Sequence, residues 1–268
     1  MSEIVFLKLG GSLITDKRRV ETPRPAVIER VAKEIGVALA ERPDLRLVLG
    51  HGSGSFGHFS AERYKVHQGG LEDWRGYAET SAAAQRLNRL VTDALLAAGV
   101  PVVSLQPSAS ARCHDGALAH LAIDPVADLL DHGLVPLVYG DVALDDVKGC
   151  TIVSTEQLFV YMARQLRPRR IIIAGEVAGV YSGDPQRDSI VRLLPEITTR
   201  NYAEISDMLA ASFGVDVTGG MASKVHDLFS LVEEQPTLTV HIITGRRGHL
   251  IEKVLLDPRL FEGTVLRY

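Results

Sequence analysis

Two histidines, three lysines and two glycine turns carry most of the chemistry this sequence could do. HGSGSFGH, residues 51–58, follows the apolar run LRLVLG, and KLGGSLITDK, residues 8–17, closes a similar run. Glycine lets main-chain N–H groups approach a phosphate closely, and a helix opening after the turn adds partial positive charge. Ligands in open α/β sheets sit beyond the carboxyl ends of the strands, so two such turns from neighbouring strands would face each other. Facing phosphate cradles suit phosphoryl transfer, in which donor and acceptor lie in line.

Gly52, Gly54 and Gly57 also fit the G-x-G-x-x-G spacing of a dinucleotide-binding turn. That fold needs a helix and then a second strand ending in an acidic residue about 20 residues on. FSAERYKVHQGGLEDW follows instead, with Glu72 and Asp73 but no aliphatic strand before them. The ribose-binding part is missing, and the dinucleotide reading falls with it.

No stretch supplies the G-x-x-x-x-G-K-[ST] of a P-loop, so a kinase built on this chain must collect its lysines from separate places. Lys8 ends an otherwise apolar strand, where an ammonium is costly unless its charge is used or it snorkels out. Lys17 follows the Gly-Gly turn closely enough to fold back over it. In VTGGMASKV, Gly219-Gly220 reads as a turn opening a helix, with Lys224 one turn inside. Each lysine alone reads as a solvated surface residue; three beside glycine turns or strand ends read as a phosphate-binding set.

His58 suits a hydrogen bond to a bound phosphate, and a dianion there favours its imidazolium form. His51 reads as a residue satisfying the backbone at the strand end, and with His58 it lacks the third ligand of a metal site. His67, His114 and His120 belong to no constellation. Asp141, after Gly140, is either a site residue or only a turn residue, and Asp145 with Asp146 reads as a solvated hairpin tip.

The elements that must position these groups alternate between strand and helix. Strands are expected over 3–10, 46–50, 100–107, 134–141, 169–175 and 238–245, with a last one in TVLRY. Helical spacing covers 25–42, 75–98, 124–133, 155–167, 202–211, 220–234 and 249–256. This β-α-β alternation predicts an α/β fold with a mostly parallel sheet covered by helices on both faces. The LRPRR segment at 166–170 is either a lobe boundary or a plain αβ turn. The alanines at 82–84 either leave room for a ligand or pack helices tightly.

Composition narrows the partners. The 268 residues are 46% hydrophobic and 23% charged, with a net charge of −4, which gives no general surface for nucleic acid. The two cysteines, Cys113 and Cys150, have no metal-type spacing and are expected as reduced thiols. MSEIVFLKLGG lacks a signal-peptide pattern and no run approaches membrane-spanning length, so a cytoplasmic protein without a membrane partner is expected.

KLGGSLITDK, HGSGSFGH, YGD, GVYSGDP and TGGMASK, in this order, resemble the amino acid kinase superfamily. The GGS-x-ITDK start together with GSFGH is most similar to isopentenyl phosphate kinases, and fosfomycin-phosphorylating kinases are similar there too. The resemblance runs from Lys8 to the C-terminus. It implies an open αβα sandwich, usually a homodimer, with an acceptor-binding N-terminal lobe (1–167) and a lobe binding ATP-Mg²⁺ (168–268). It implies that Lys8, Gly10, Gly11 and Ser12 line the ATP phosphates with Lys17 nearby, and that Gly52, Ser53 and Gly54 cradle the acceptor phosphate, which His58 contacts. Asp141 would orient the lysines. Gly179, Tyr181 and Asp184 would lie by adenine and ribose, and Gly219, Gly220 and Lys224 would hold the nucleotide's phosphates, which themselves carry the Mg²⁺.

Two departures stand out. Relatives often carry glycine or alanine where Ser53 stands. AGEVAGVY lacks the Thr/Ser-Asp pair that many relatives place after that strand, leaving Glu176 to compensate. The chemistry is coherent for a phosphate monoester acceptor, which is largely a dianion at neutral pH and needs no general base. Catalysis then comes from positioning and positive charge. A phosphonate kinase of the same fold is the alternative enzyme, and a nucleotide- or phosphate-sensing protein without turnover is the alternative outside enzymes.

Overall fold

The run IVFLKL forms β1 (Ile4–Leu9), whose side chains alternate between two hydrophobic cores, Phe6 on one side and Val5 and Leu7 on the other. Burial on both faces is what a central strand of a parallel sheet requires. The computed structural model describes residues 3–71, 73–183, 191–213 and 221–268. After β1 come α1 (Gly11–Ile14), α2 (Pro25–Glu41), β2 (Arg46–His51), α3 (Gly54–Arg63), α4 (Arg75–Ala97) and β3 (Val102–Ser104). The middle of the chain forms β4 (Arg112–His114), β5 (Ala117–His120), α5 (Asp124–Asp131), β6 (Val135–Tyr139), β7 (Asp141–Asp145), β8 (Gly149–Val153) and α6 (Thr155–Leu166). The remainder forms β9 (Arg170–Gly175), β10 (Glu196–Ile197), α7 (Tyr202–Phe213), α8 (Met221–Glu234), β11 (Thr239–Thr244), α9 (Leu250–Leu256) and β12 (Thr264–Leu266).

The main sheet has eight strands in the order β10-β12-β11-β9-β1-β2-β6-β3 and is parallel except for the β11–β12 pair. One core joins it to α2, α4 and α9 through Ile28, Ile35, Leu87, Val91 and Ile251. The other joins it to α5, α6, α7 and α8 through Val126, Leu158, Phe159, Leu209 and Phe229. This is the αβα sandwich expected from the alternation. β1 pairs with both β2 and β9, so a single sheet runs through the 166–170 segment, an αβ turn in which Arg167 closes α6 at φ 47°.

Two features give weak sequence signals. The stretch GSFGHFSAER is helical as α3, although its glycines and polar residues show no apolar stripe. A second, four-stranded sheet, β5-β4-β7-β8, is built from strands of three to five residues, too short for a clear period of two. The strand expected over 134–141 therefore stops at Tyr139, and Asp141 opens β7 of the second sheet. Asp145 is 5% exposed rather than solvated, because it accepts the Gly116, Val147 and Lys148 N–H groups that close this region. Asp146 is exposed and meets His114 Nδ1 at 2.8 Å.

At the end of the sheet away from the glycine turns, His241 of β11 is 3% exposed and its Nδ1 has no hydrogen-bond partner among the described residues. Burial, with Arg170 adding to it and Glu3 opposing, lowers its pKa from 6.5 to about 4. The unfolded chain therefore binds the extra proton first, and stability falls as pH drops from about 6.5 toward about 4, by roughly 3 kcal/mol in all. Urea unfolding at pH 7.5 and 5 should show this loss in the wild type and a flatter response in His241→Leu. Equal acid sensitivity of the two would contradict it.

Candidate active site

The side-chain parity of β1 that sends Phe6 toward α6 sends Lys8 the same way. In register beside Lys8 is Gly50 of β2, where a Cβ would lie 2.5 Å from Thr155 and 2.8 Å from Phe159. Only glycine lets the first turn of α6 approach this closely. That turn is fixed by a capping box, in which the Ser154 hydroxyl accepts the Gln157 N–H and the Gln157 carboxamide accepts the Ser154 N–H. It places Glu156 Oε1 2.5 Å from Lys8 Nζ and 3.6 Å from Lys224 Nζ, the latter reaching in from α8.

Lys8 is 5% exposed, and its ammonium is pulled down chiefly by burial and opposed chiefly by Glu156; the charges of Lys224 and Lys17 also reach it. Burial would raise Glu156, but Lys8 and Lys224 hold it at about 2, so it stays ionised. The three lysines nominated from scattered stretches thus surround one place: Lys8 buried, Lys224 partly exposed, and Lys17 on the exposed turn after α1. The carboxylate that orients Lys8 and Lys224 is Glu156. Asp141 does not: its Oδ2 accepts the Ser108 N–H at 3.2 Å and its Oδ1 the Val142 N–H at 2.8 Å, and burial raises its pKa. The physical reason is the change of sheet at Gly140, which turns Asp141 into a buried anchor for the 107–110 loop. Glu156 could have been found as the acidic residue inside a capping-box pattern, S-T-E-Q, opening an apolar helix.

The two glycine turns are in direct contact. A Cβ on Gly11 would fall 2.6 Å from Gly54 N, and one on Gly52 would fall 2.9 Å from Gly11 N. Gly54 adopts φ +52°, with Thr15 Oγ1 2.3 Å from where a Cβ would stand. Thr15 stitches the turns together, donating to Gly11 O at 2.7 Å and accepting the Ser55 N–H at 2.9 Å. Among the described residues, the N–H groups of Gly11, Ser12, Ser53 and Gly54 have no hydrogen-bond partner. Gly10 N–H is used, on Ala174 O at 2.8 Å, which fixes the first turn to β9. Two helix starts therefore present unpaired donors side by side, next to the lysine cluster, as an anion site requires.

His51 shares the parity of Leu47 and Leu49 and points toward α4. It is fully buried and stacked on Tyr139; its Nδ1 lies 3.0 Å from Gly52 O and its Nε2 3.2 Å from Asn88 Oδ1. Burial lowers its pKa, against the two hydrogen-bond partners, and its contact with the Gly52 carbonyl makes it a structural group. Ser53 caps α3 without using its hydroxyl as a cap. That oxygen fills the space where a Gly57 Cβ would stand, 2.4 Å away, and Gly140 approaches Ser53 from the other side. His58 lies one turn into α3 with its side chain 61% exposed and Glu62 3.9 Å away.

On the opposite side, Gly179 is a packing glycine, since a Cβ there would meet Thr264 Oγ1 at 2.5 Å. Tyr181 pairs with Leu193 in an isolated bridge. Asp184, Gly219 and Gly220 lie outside the described residues. Glu176 is engaged by two arginines, Arg24 at 2.7 Å and Arg246 at 2.6 Å, so its carboxylate is committed to protein partners. Among the described residues no group of three or more His, Cys, Asp or Glu side chains could hold a metal ion.

Residues 3–244 match the amino acid kinase family. The chain belongs to that family. It is 39% identical over 269 residues to an isopentenyl phosphate kinase of Methanothermobacter thermautotrophicus, with 96% of this chain and 97% of the relative covered. An isopentenyl phosphate kinase of Arabidopsis thaliana is 30% identical, with 98% and 95% covered. Among solved structures, an isopentenyl phosphate kinase superposes with a TM-score of 0.84 at 35% identity, covering 98% of this chain and 99% of that one. No helix among the described residues is long and apolar enough to cross a membrane.

Proposed function

We propose that this protein is an ATP-dependent kinase that phosphorylates isopentenyl phosphate to isopentenyl diphosphate by direct in-line transfer. The carrying observation is the contact between two turns whose Gly11, Ser12, Ser53 and Gly54 N–H groups are unpaired, flanked by Lys8 and Lys224 on Glu156. Two phosphate groups bound there would be neighbours. The acceptor's identity rests on similarity over nearly full length to isopentenyl phosphate kinases.

In this reading Gly10, Gly11, Ser12, Lys8, Lys17 and Lys224 hold the donor phosphates, and Gly52, Ser53, Gly54 and His58 hold the acceptor phosphate. Residues 1–167 serve the acceptor and 168–268 the nucleotide, with Gly179, Tyr181, Asp184, Gly219 and Gly220 on the nucleotide side. Among the described residues Glu156 is the carboxylate that contacts Lys8 and Lys224, and it is committed to them, so Mg²⁺ would ride on the nucleotide's phosphates and would neutralise part of their charge. The acceptor is already a dianion, so the chain's task is to overcome repulsion between two anions, which the buried Lys8 ammonium, its neighbouring lysines and fixed N–H dipoles do with little reorganisation.

The acceptor turn abuts a small hydrophobic cluster. The β7–β8 hairpin rises from Gly140, which approaches Ser53, and Val142, Cys150 and Ile152 pack there with Val66, Leu71 and Tyr77. Homodimer assembly is part of this reading, and Leu90 and Leu96, 43% and 50% exposed on α4, offer apolar surface for it. The test supplies Mg-ATP with isopentenyl phosphate, fosfomycin, acetylglutamate and UMP in separate reactions and follows ADP release. Fastest turnover with isopentenyl phosphate is expected; preference for acetylglutamate or UMP, or no turnover at all, would refute the assignment.

A further inference from the structure

The loop after β9 is tied to the first glycine turn through one side chain. Arg24, at the start of α2, donates from Nη1 to Ser12 O at 2.9 Å and to Glu176 Oε1 at 2.7 Å. Its own N–H is bonded to Ile14 O at 2.8 Å, so the guanidinium reaches out from a fixed base. Glu176 follows β9 directly, and the same Oε1 accepts Arg246 Nη2 at 2.6 Å. Gly245 N–H bonds to Gly175 O at 2.8 Å, and the Thr244 hydroxyl bonds to Glu176 O at 3.3 Å. The C-terminal ends of β1, β9 and β11 are therefore cross-linked at one carboxylate, by residues 152 positions apart in the case of Arg24 and Glu176. Burial would raise Glu176, but hydrogen bonds from Arg24 and Arg246 hold it below the usual range, which keeps it charged for both.

The two arginines are not equivalent. The Arg24 side chain is 28% exposed and touches the glycine turn, whereas that of Arg246 is 62% exposed and bonds only Glu176 among the described residues. One planar head bonds two acceptors in fixed directions, a task an ammonium performs poorly. Ser12 also carries one of the unpaired N–H groups of the donor-side turn, so whatever fixes Ser12 fixes that donor.

We propose that Arg24 and Glu176 form a positioning clasp, setting Ser12 of the donor-phosphate turn at a fixed distance from the nucleotide-side loop 176–181. The clasp rests on the assignment of Gly10–Ser12 to the ATP phosphates. Calorimetric titration with Mg-AMPPNP, together with steady-state kinetics, tests it on Arg24→Gln, Arg24→Lys, Glu176→Gln, Arg246→Gln and the Arg24→Gln/Glu176→Gln double variant. Arg24→Gln and Glu176→Gln should each weaken nucleotide binding about 10-fold, and the double variant no more than either alone. Arg24→Lys should recover little, Arg246→Gln should lose about threefold or less, and KM for the acceptor should stay within about twofold throughout. Multiplying losses in the double variant, or lowered Tm with unchanged nucleotide affinity, would overturn the clasp. A wild-type protein that binds no Mg-AMPPNP would contradict the nucleotide assignment itself.

Discussion

Lys8→Met should lower kcat by about 10³-fold, the cost typical of removing a preorganised donor from a developing charge. It should also destabilise the protein by about 3 kcal/mol, because a buried carboxylate is left without its main counter-ion. Both effects follow from the 2.5 Å contact with Glu156 at a site where both side chains are less than a tenth exposed. They can be separated. Lys8→Met with Glu156→Gln removes both charges and should restore most of the lost Tm while leaving kcat near the floor. Recovery of activity along with stability would mean that Lys8 serves folding alone.

His58→Ala is the second large effect, and it should fall on the acceptor. The side chain is 61% exposed and packs into no core, so its removal should leave Tm unchanged. If His58 binds the acceptor phosphate, kcat/KM for the acceptor should drop about 10²-fold, as for loss of a charge-assisted hydrogen bond to the reacting group. Nucleotide affinity should stay within about twofold if α3 serves the acceptor, as proposed. A large loss of Mg-AMPPNP binding would place His58 on the wrong side of the site.

Much of this arrangement was legible in the residues. Lys8 stood out as a charge ending an apolar strand, and that anomaly is what the structure explains: Gly50 beside it admits α6, and α6 brings the compensating Glu156. The facing turns followed from glycine placement after parallel strands. What stayed hidden depends on chain direction after a strand ends. The family resemblance puts Asp141 in the site, yet the chain changes sheet there and buries the carboxylate under the 107–110 loop. The short strands of the second sheet and the polar helix α3 lack the length or stripe that periodicity needs. The resemblance leaves Glu176 to compensate for a missing Thr/Ser-Asp pair, and the arginine partners that engage it instead come from residues 24 and 246.

The most direct test of the account is the product itself. Incubating the protein with Mg-ATP and isopentenyl phosphate and following phosphorus NMR should show the monoester signal replaced by the coupled pair of a diphosphate, with one ADP per product. ADP accumulating while the isopentenyl phosphate signal stays intact would mean hydrolysis without transfer, and would contradict two phosphates held in line between the glycine turns.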